Sequence, residues 1–186
     1  AEHGVSLKPS GHIEVDRMSR TTARGVYAAG DCTGVFPLAS VAAMQGRIAM
    51  WHALGDAVQP LDLRSIASNV FTAPEIATVG ITQQQIDSGR LAVRRVTLPL
   101  AGNARAKMQG HYDGFVKLFC LPTTGIIVGG VVVAPGASEL IYSLSLCVSA
   151  RLTVDQAARA FTVFPSLSGS ISEAGRQLHS VEDAGL

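Results

Sequence analysis

A short apolar stretch that ends in a glycine and an aspartate, and is followed by a long apolar segment, constrains the fold of this chain most. The stretch is Val26–Ala29, the pair is Gly30 and Asp31, and the apolar segment covers residues 36–54. This order predicts a buried strand, a tight turn and a helix, the unit from which layered α/β proteins are built. The helical segment is apolar almost all round, which predicts burial on most of its faces, and Gly55 is placed to end it.

The residues around Gly30 and Asp31 carry the chemistry of a ligand site. Because Gly30 has no Cβ, its backbone can pass close to a ligand. Asp31 places a carboxylate at the carboxyl end of the predicted strand, where open α/β sheets bind their ligands. The amides near Leu38 and Ala39 open the predicted helix, and a helix start offers unpaired donors and partial positive charge. The structural alternative is a plain strand–turn–helix unit with an aspartate cap.

Residues 21–31, with the sequence TTARGVYAAGD, resemble the second flavin-binding motif of the flavoprotein disulfide reductases, such as dihydrolipoamide dehydrogenase and glutathione reductase. In that family the aspartate holds the ribityl chain of FAD, and the residues that open the next helix lie against the flavin pyrimidine. The resemblance therefore implies that Gly30, Asp31, Leu38 and Ala39 bind FAD, with Asp31 on the ribityl chain. It also implies NAD(P)H as a second cofactor.

A second motif indicates where another domain begins. Residues 71–80, FTAPEIATVG, closely resemble the FT-x-PE-x-A-x-VG signature at the start of the interface domain of the same family. Valine, isoleucine and threonine favour strands on both sides of a turn set by Pro74. We therefore expect residues 1–59 to be the carboxyl-terminal part of an FAD-binding domain and residues 60–186 to be an interface or dimerisation domain.

The rest of the second domain carries alternating helix and strand signals. Capping boxes at Thr82 and Thr153 predict two short helices, and a last short helix is predicted to open at Ser170 and to end near His179. Apolar periodicity and turn residues predict three strands and one longer helix, in the order 93–98, 115–121, 126–133 and 137–150. Residues 101–113 are predicted to be a polar loop. The fold class that follows is α/β and α+β: the tail of an FAD-binding domain, then a mostly antiparallel sheet with flanking helices.

Composition and charge argue against several classes of function. The chain has 15 Lys and Arg against 14 Asp and Glu, and a formal net charge of +1 gives no electrostatic case for nucleic acid. No apolar run is continuous enough to span a membrane, because polar residues interrupt the longest one. The cysteines Cys32, Cys120 and Cys147 are too far apart for a C-x-x-C pair or a zinc site, which indicates free thiols and a cytoplasmic protein.

Two parts of a disulfide reductase are missing from the sequence. No two of the 19 glycines are separated by a single residue, so the chain holds no G-x-G-x-x-G phosphate loop. The redox cysteine pair, which lies near the amino terminus in the family, is also missing. Since the chain begins at Ala1 in a polar segment, we expect a carboxyl-terminal piece of a longer protein, with the ADP-binding loops and the nicotinamide site upstream.

A third difference concerns the proton-transfer residues of the family. Its disulfide reductases carry a His-Pro pair followed by a glutamate, and the imidazole is the general acid/base that activates a thiol. In the matching stretch, residues 161–169, Phe164 occupies the histidine position and Gly169 occupies the glutamate position. Neither residue has a side chain that can donate or accept a proton, and none of the five histidines lies in the motif. We therefore assign no catalytic residue in this chain.

The loss of this pair predicts the type of reaction. A flavin can pass electrons to a quinone without a protein thiol, and solvent can supply the protons. We expect the full-length protein to be an FAD-dependent NAD(P)H oxidoreductase that acts on a quinone-like acceptor, with Phe164 making the acceptor side of the pocket apolar. The chain by itself is expected to be inactive.

Three other functions are kept as alternatives. They are a dihydrolipoamide dehydrogenase, a soluble pyridine nucleotide transhydrogenase and, for the chain as given, a non-catalytic dimerisation module. The resemblance also implies a homodimer, for which residues 137–150 and 161–173 are the candidate interface segments.

Overall fold

The computed structural model describes residues 3–179. The chain divides into two compact units, Ala1–Leu63 and Arg64–Leu186. The sequence places its domain boundary slightly earlier, after Gln59.

The first unit contains one long helix, α1, over Ala39–Ala53, preceded by a short 3-10 turn over Asp31–Thr33. The buried strand predicted over residues 26–29 is wrong. Within the described part of this unit, that segment makes a single antiparallel bridge, between Arg20 and Tyr27, and Val26 is 44% exposed. A strand needs a partner along its length to satisfy its backbone groups, and one bridge does not supply it.

Helix α1 is shorter and less buried than the sequence predicts. Its N-cap is Leu38, its C-cap is Leu54, and Gly55 follows at φ 89°, which confirms the predicted stop. The prediction that α1 is buried on most of its faces is wrong, because the first unit covers only one face of the helix. The buried residues are Val41, Gln45, Ile48 and Ala49. The large side chains of Met50 and Trp51 are 59% and 44% exposed.

The second unit is built on a five-stranded antiparallel sheet, which confirms the predicted class. The strands are β1 (Ala67–Val70), β2 (Glu75–Gly80), β3 (Arg94–Pro99), β4 (Phe115–Cys120) and β5 (Ile127–Ala134). Their order across the sheet is β1-β2-β5-β4-β3, and every neighbouring pair is antiparallel. The two strands on either side of Pro74 and the hairpin of β4 and β5 agree with the prediction.

Five helices accompany this sheet. They are α2 (Gln83–Asp87), α3 (Ala104–Met108), α4 (Ala137–Ser149), α5 (Val154–Arg159) and α6 (Gly169–Gln177). The capping boxes at Thr82 and Thr153 are both present and confirm two of the predicted helix starts. The polar loop predicted over residues 101–113 is wrong in part, because Asn103 caps α3 there by accepting a hydrogen bond from the Ala106 amide at 3.0 Å.

The last helix predicted to open at Ser170 is present. Helix α6 begins one residue earlier, at Gly169, and its N-cap is Ser168 without a side-chain cap. Ser170 therefore lies inside the first turn and is buried, at 2% exposure. Its hydroxyl accepts a hydrogen bond from Asn103 Nδ2 at 2.8 Å, so a distant side chain determines its role.

The core of the second unit lies between the sheet and the helices. Leu118, Val132 and Leu144 are fully buried, at 0% exposure, and Cys120 and Cys147 are buried as predicted. The apolar repeat of α4 supplies Leu144 and Cys147, and α5 and α6 contribute Val154 and Ile171 to the same cluster. Close packing of this kind makes the volume of each core side chain important.

We expect Leu144→Ala to lower the free energy of unfolding by about 2–5 kcal/mol, because it removes buried methyl groups and leaves a cavity. Leu144 is fully buried. Leu144→Met conserves volume and should cost less than about 1.5 kcal/mol. Urea denaturation followed by circular dichroism measures both values. Equal losses for the two variants would contradict the assigned packing.

Candidate functional site

The first candidate site is the Gly30 loop, which comprises residues 28–39 in the first unit. Gly30 has φ 86° and is buried, and a Cβ at this position would lie 3.4 Å from the Cβ of Ala42. The amide of Gly30 donates to Gln45 Oε1 at 2.8 Å, and its carbonyl accepts from Thr33 Oγ1 at 2.8 Å. Gln45 and Thr33 are 1% and 0% exposed. A buried polar cluster therefore fixes the turn against the first part of helix α1.

The groups that the sequence assigns to the flavin lie at the surface of this loop. Asp31 is exposed, and its carboxylate makes no hydrogen bond or ion pair with any residue among 3–179. Leu38 is the N-cap of α1 in extended conformation and provides no side-chain cap. The amides of the first turn, beginning with Ala39, are therefore open to an electron-rich ligand. The structure thus gathers Gly30, Asp31, Leu38 and Ala39 in one loop and helix start.

Sequence reasoning missed the residues that hold this loop in place. Gln45 is the polar residue among the buried positions of α1, and it both accepts from Gly30 and donates from Nε2 to Thr33 Oγ1 at 3.3 Å. A buried amide of this kind must be hydrogen-bonded. A glutamine at a position predicted to be buried was a sequence signal for such a hydrogen bond, but the sequence did not indicate which residues would be its partners.

The second candidate site is the Phe164 loop, which comprises residues 161–169 in the second unit. Its large apolar side chains are exposed: Phe161 at 105%, Val163 at 79% and Phe164 at 86%. The backbone is nevertheless fixed, because Asn103 Nδ2 donates to the Ser166 carbonyl at 3.0 Å. The loop therefore presents apolar side chains from a held backbone.

A cleft of about 500 Å³ lies beside this loop, entirely within the second unit. Its ionisable lining groups are Arg105 on α3 and Glu173 and Arg176 on α6. None of the five histidines of the chain lines it. His179 is exposed, and its Nδ1 lies 2.6 Å from Asp155 Oδ1 on α5.

The carboxylate of Glu173 is held in its charged form. Arg176 donates to it from Nε at 2.8 Å and from a terminal nitrogen at 2.6 Å, and Gln177 Nε2 adds a third hydrogen bond at 3.2 Å. The hydrogen bonds from Arg176 lower the pKa of Glu173 below its ordinary value. Because both carboxylate oxygens already accept hydrogen bonds from Arg176, we do not assign Glu173 the role of the missing acid/base pair.

Comparison with known proteins identifies the family. The dimerisation domain of the pyridine nucleotide-disulphide oxidoreductases matches residues 66–175 of this chain. The chain belongs to the pyridine nucleotide-disulphide oxidoreductase family. A second match, to the sequence family described as pyridine nucleotide-disulphide oxidoreductase, covers residues 1–46. The resemblance seen in the sequence motifs is thereby confirmed.

Several relatives match nearly the whole chain. An NAD(P)H dehydrogenase (quinone) of Mycobacterium tuberculosis is 57% identical over 180 residues, which cover 97% of this chain and 36% of that protein. A dihydrolipoyl dehydrogenase of Staphylococcus aureus is 34% identical over 95% of this chain and 37% of its own length. The chain therefore spans little more than a third of the length of these relatives.

Solved structures show the same similarity. The crystal structure of LpdA from Mycobacterium tuberculosis has a TM-score of 0.92 and 58% identity, over 95% of this chain and 39% of that chain. The HOCl-induced flavoprotein disulfide reductase RclA from Escherichia coli has a TM-score of 0.84 and 25% identity, over 93% of this chain and 40% of that chain.

Among residues 3–179, no helix is both long and apolar enough to cross a membrane.

We expect Arg176→Met to raise the pKa of Glu173 towards its ordinary value, because the hydrogen bonds from Arg176 lower it. A carboxyl whose pKa is lowered on folding stabilises the fold above its ordinary pKa, and this stabilisation is lost as the pH falls through the lowered value. Carbon-detected NMR titration of the Glu173 carboxyl measures the shift. Arg159→Met, which removes another exposed arginine, is the control and should leave the titration unchanged.

Proposed function

We propose that the full-length protein is an FAD-dependent NAD(P)H oxidoreductase that passes electrons to a quinone-like acceptor. The observation that carries this proposal is the Phe164 loop, where Phe164 and Gly169 stand in place of a proton-transferring pair. The 57% identity to a protein named NAD(P)H dehydrogenase (quinone) supports the same activity. The 34% identity to a dihydrolipoyl dehydrogenase favours the alternative of a disulfide substrate, which the chemistry of the loop argues against.

The residues of the Gly30 loop fit an FAD group. The buried amide of Gln45 holds the Gly30 backbone, so this turn does not depend on the Asp31 side chain. Asp31 is free to accept hydrogen bonds from the hydroxyls of a ribityl chain, and the open amides at Ala39 suit an electron-rich ring edge. When bound, FAD supplies the transfer of electrons from a nicotinamide to the acceptor.

Within this chain, the residues of the second unit argue against a thiol-based cycle on chemical grounds. Reduction of a disulfide requires a group that gives and takes a proton at a thiol. Phe164 cannot do so, and the Glu173 carboxylate is held in its ionised form by Arg176. A quinone needs no protein thiol and takes its protons from solvent, while exposed phenylalanine side chains suit an aromatic ring.

We also propose that the full-length protein is a cytoplasmic homodimer. The match to a dimerisation domain over residues 66–175 supports the dimer, and exposed apolar side chains in the Phe164 loop suit a protein surface. Cys32, Cys120 and Cys147 are free thiols, which supports a reducing compartment. NAD(P)H is expected to bind to residues outside this chain.

The decisive experiment is a comparison of acceptors with the full-length protein and either NADH or NADPH. We expect rapid oxidation of the reduced nicotinamide with 1,4-naphthoquinone and none above background with lipoamide, because the loop at Phe164 offers no acid or base. Thio-NAD⁺ is the third acceptor and detects transhydrogenase activity. Robust turnover of lipoamide would contradict the proposal, and turnover of thio-NAD⁺ alone would favour a transhydrogenase.

We expect Asp31→Ala to weaken FAD binding to the full-length protein roughly tenfold or more, since hydrogen bonds to a charged acceptor are lost. Because Asp31 makes no side-chain contact within the described residues, the stability of the flavin-free protein should change by less than about 0.5 kcal/mol. Flavin absorbance after dialysis measures the binding. Asp56→Ala removes another exposed carboxylate of the same unit and should retain full flavin; equal loss in both variants would exclude a role for Asp31.

A further inference from the structure

We infer that a hairpin of residues 7–13 positions the turn that carries Asp31, and that His12 is the residue of the hairpin that sets this position. The Asp31 turn comprises the 3-10 turn Asp31–Thr33 and its C-cap, Gly34. This inference rests on the proposed function, because Asp31 is assigned there to the ribityl chain of FAD. His12 is a positioning residue, since it acts through the turn and is assigned no contact with the cofactor.

The hairpin has a well-defined backbone. Leu7 and Ile13 form an antiparallel bridge, and the Lys8 amide donates to the His12 carbonyl at 2.8 Å. The Gly11 amide closes the bend by donating to the Lys8 carbonyl at 2.9 Å. Because these backbone groups are paired within the hairpin, the side chains of Lys8 and His12 start from fixed positions.

Two successive residues of the Asp31 turn accept hydrogen bonds from this hairpin. The Ile13 amide donates to the Cys32 carbonyl at 2.8 Å. The ammonium group of Lys8 donates to the Thr33 carbonyl at 3.0 Å, in a part-buried position. The last carbonyls of a helical turn have no partner within the turn, and these donors supply one. The hairpin and the turn are therefore one hydrogen-bonded unit.

The next residue of the turn, Gly34, contacts the ring of His12. Gly34 has φ 61°, and a Cβ at this position would lie 2.6 Å from His12 Cγ and 2.8 Å from Cδ2. Non-bonded carbon atoms pack at about 3.5–4.0 Å, so the ring occupies space that only a glycine leaves open. The amide of Gly34 donates to the Asp31 carbonyl at 3.0 Å. A displacement at Gly34 is therefore passed directly to the backbone of Asp31.

The ring of His12 is itself held in one orientation. Its Nδ1 lies 2.9 Å from Ser10 Oγ on the same hairpin. A hydroxyl both donates and accepts, so this hydrogen bond forms with either tautomer of the ring. The contact with Gly34 is one of shape, because glycine offers no side-chain group for the ring to bind. His12→Phe, which keeps an aromatic ring, is therefore expected to preserve it.

The hairpin gives the Gly30 loop a second support beside Gln45. Gln45 holds the backbone of Gly30 before the turn, whereas the hairpin holds residues 32–34 at its end. Asp31 lies between these supports, and its carboxylate makes no hydrogen bond or ion pair with any residue among 3–179. The backbone alone therefore sets where the carboxylate lies. A binding group that is held in place beforehand binds more tightly, since less conformational freedom is lost.

The test is a double-mutant cycle that measures the affinity of the flavin-free, full-length protein for FAD by the change in flavin fluorescence. We expect Gly34→Ala to weaken FAD binding about tenfold in the natural background, because the added Cβ meets the ring of His12. In a His12→Ala background the same substitution should cost less than about twofold, since the ring is gone. The strain of alanine at positive φ is present in both backgrounds and cancels from the comparison.

Gly55→Ala is the matched control for this cycle. Gly55 has φ 89°, and a Cβ added there would have no other part of the chain within 4 Å among residues 3–179. Its replacement should therefore change the affinity for FAD by the same factor with and without the ring of His12. Equal factors for Gly34→Ala in the two backgrounds would overturn the inference.

Two further variants keep the test independent of how well Gly34→Ala folds. His12→Ala alone should weaken FAD binding about fivefold, whereas His12→Phe should stay within about twofold of the unaltered protein. In the flavin-free protein, hydrogen exchange of the amides of residues 31–34 should be faster in His12→Ala and unchanged in His12→Phe. Unaltered affinity and exchange in His12→Ala would also overturn the inference.

These measurements separate the inference from the proposed function. If FAD binding follows the expected cycle while no quinone is reduced, the proposed acceptor fails and the role of His12 stands. If the unaltered protein binds no FAD, the proposed function fails at its cofactor. In that case faster exchange in His12→Ala supports the role of His12 in holding the turn, and unchanged exchange rejects it.

Discussion

The cleft of the second unit depends on the side-chain amide of Asn103. Its oxygen accepts from the Ala106 amide, and its nitrogen donates to the Ser166 carbonyl and to Ser170 Oγ at 3.0 and 2.8 Å. One half-buried residue thereby joins the start of α3, the Phe164 loop and the first turn of α6. Each hydrogen bond adds only about 0.5–1.5 kcal/mol, but an unsatisfied buried partner would cost more. The elements that carry Arg105, Phe164 and Glu173 are therefore joined through one side chain.

The Gly30 loop uses the same principle in the first unit. A buried amide, here Gln45, satisfies the backbone of the turn, and Thr33 closes the cluster with a hydrogen bond of 2.8 Å to the Gly30 carbonyl. The side chain of Asp31, which is assigned to the ribityl chain, makes no contact that holds the loop among residues 3–179. A ligand therefore does not have to displace an internal contact of this carboxylate before it binds.

Local signals in the sequence predicted most of the second unit. Capping boxes at Thr82 and Thr153, the β4–β5 hairpin and the apolar repeat of α4 all depend on residues a few positions apart, and the structure confirms them. The features that local signals missed depend on distant partners. Among residues 3–63, the segment 26–29 makes a single bridge instead of a strand, and no local pattern indicates that Asn103, 67 residues away in the sequence, donates a hydrogen bond to Ser170.

The candidate sites show the same difference between local sequence signals and contacts between distant residues. Motif resemblance located Gly30, Asp31, Phe164 and Gly169, because each occupies a fixed place in a contiguous stretch. It did not find Gln45, which holds a glycine 15 residues away, or the shared role of Asn103 in two segments 63 residues apart. Arg105 was seen in the sequence only as part of a polar loop. Its place in the cleft lining depends on the folding of α3, in a segment that the sequence pattern predicts to be a loop.

The fold does not require a glycine at position 169. The loss of the family's glutamate at this position is therefore not explained by backbone geometry. The φ of Gly169 is not positive, and a Cβ there would meet only Ser166 Oγ at 3.7 Å and Thr162 Oγ1 at 3.8 Å, which are ordinary contacts. Phe164 likewise packs little within its unit, since it is 86% exposed. Backbone geometry therefore leaves room for a side chain at position 169, and packing within one chain does not demand a phenylalanine at 164. Within the chain, the glycine at position 169 is then a difference in chemistry rather than a consequence of packing, which supports the proposed acceptor, since its reduction needs no protein acid.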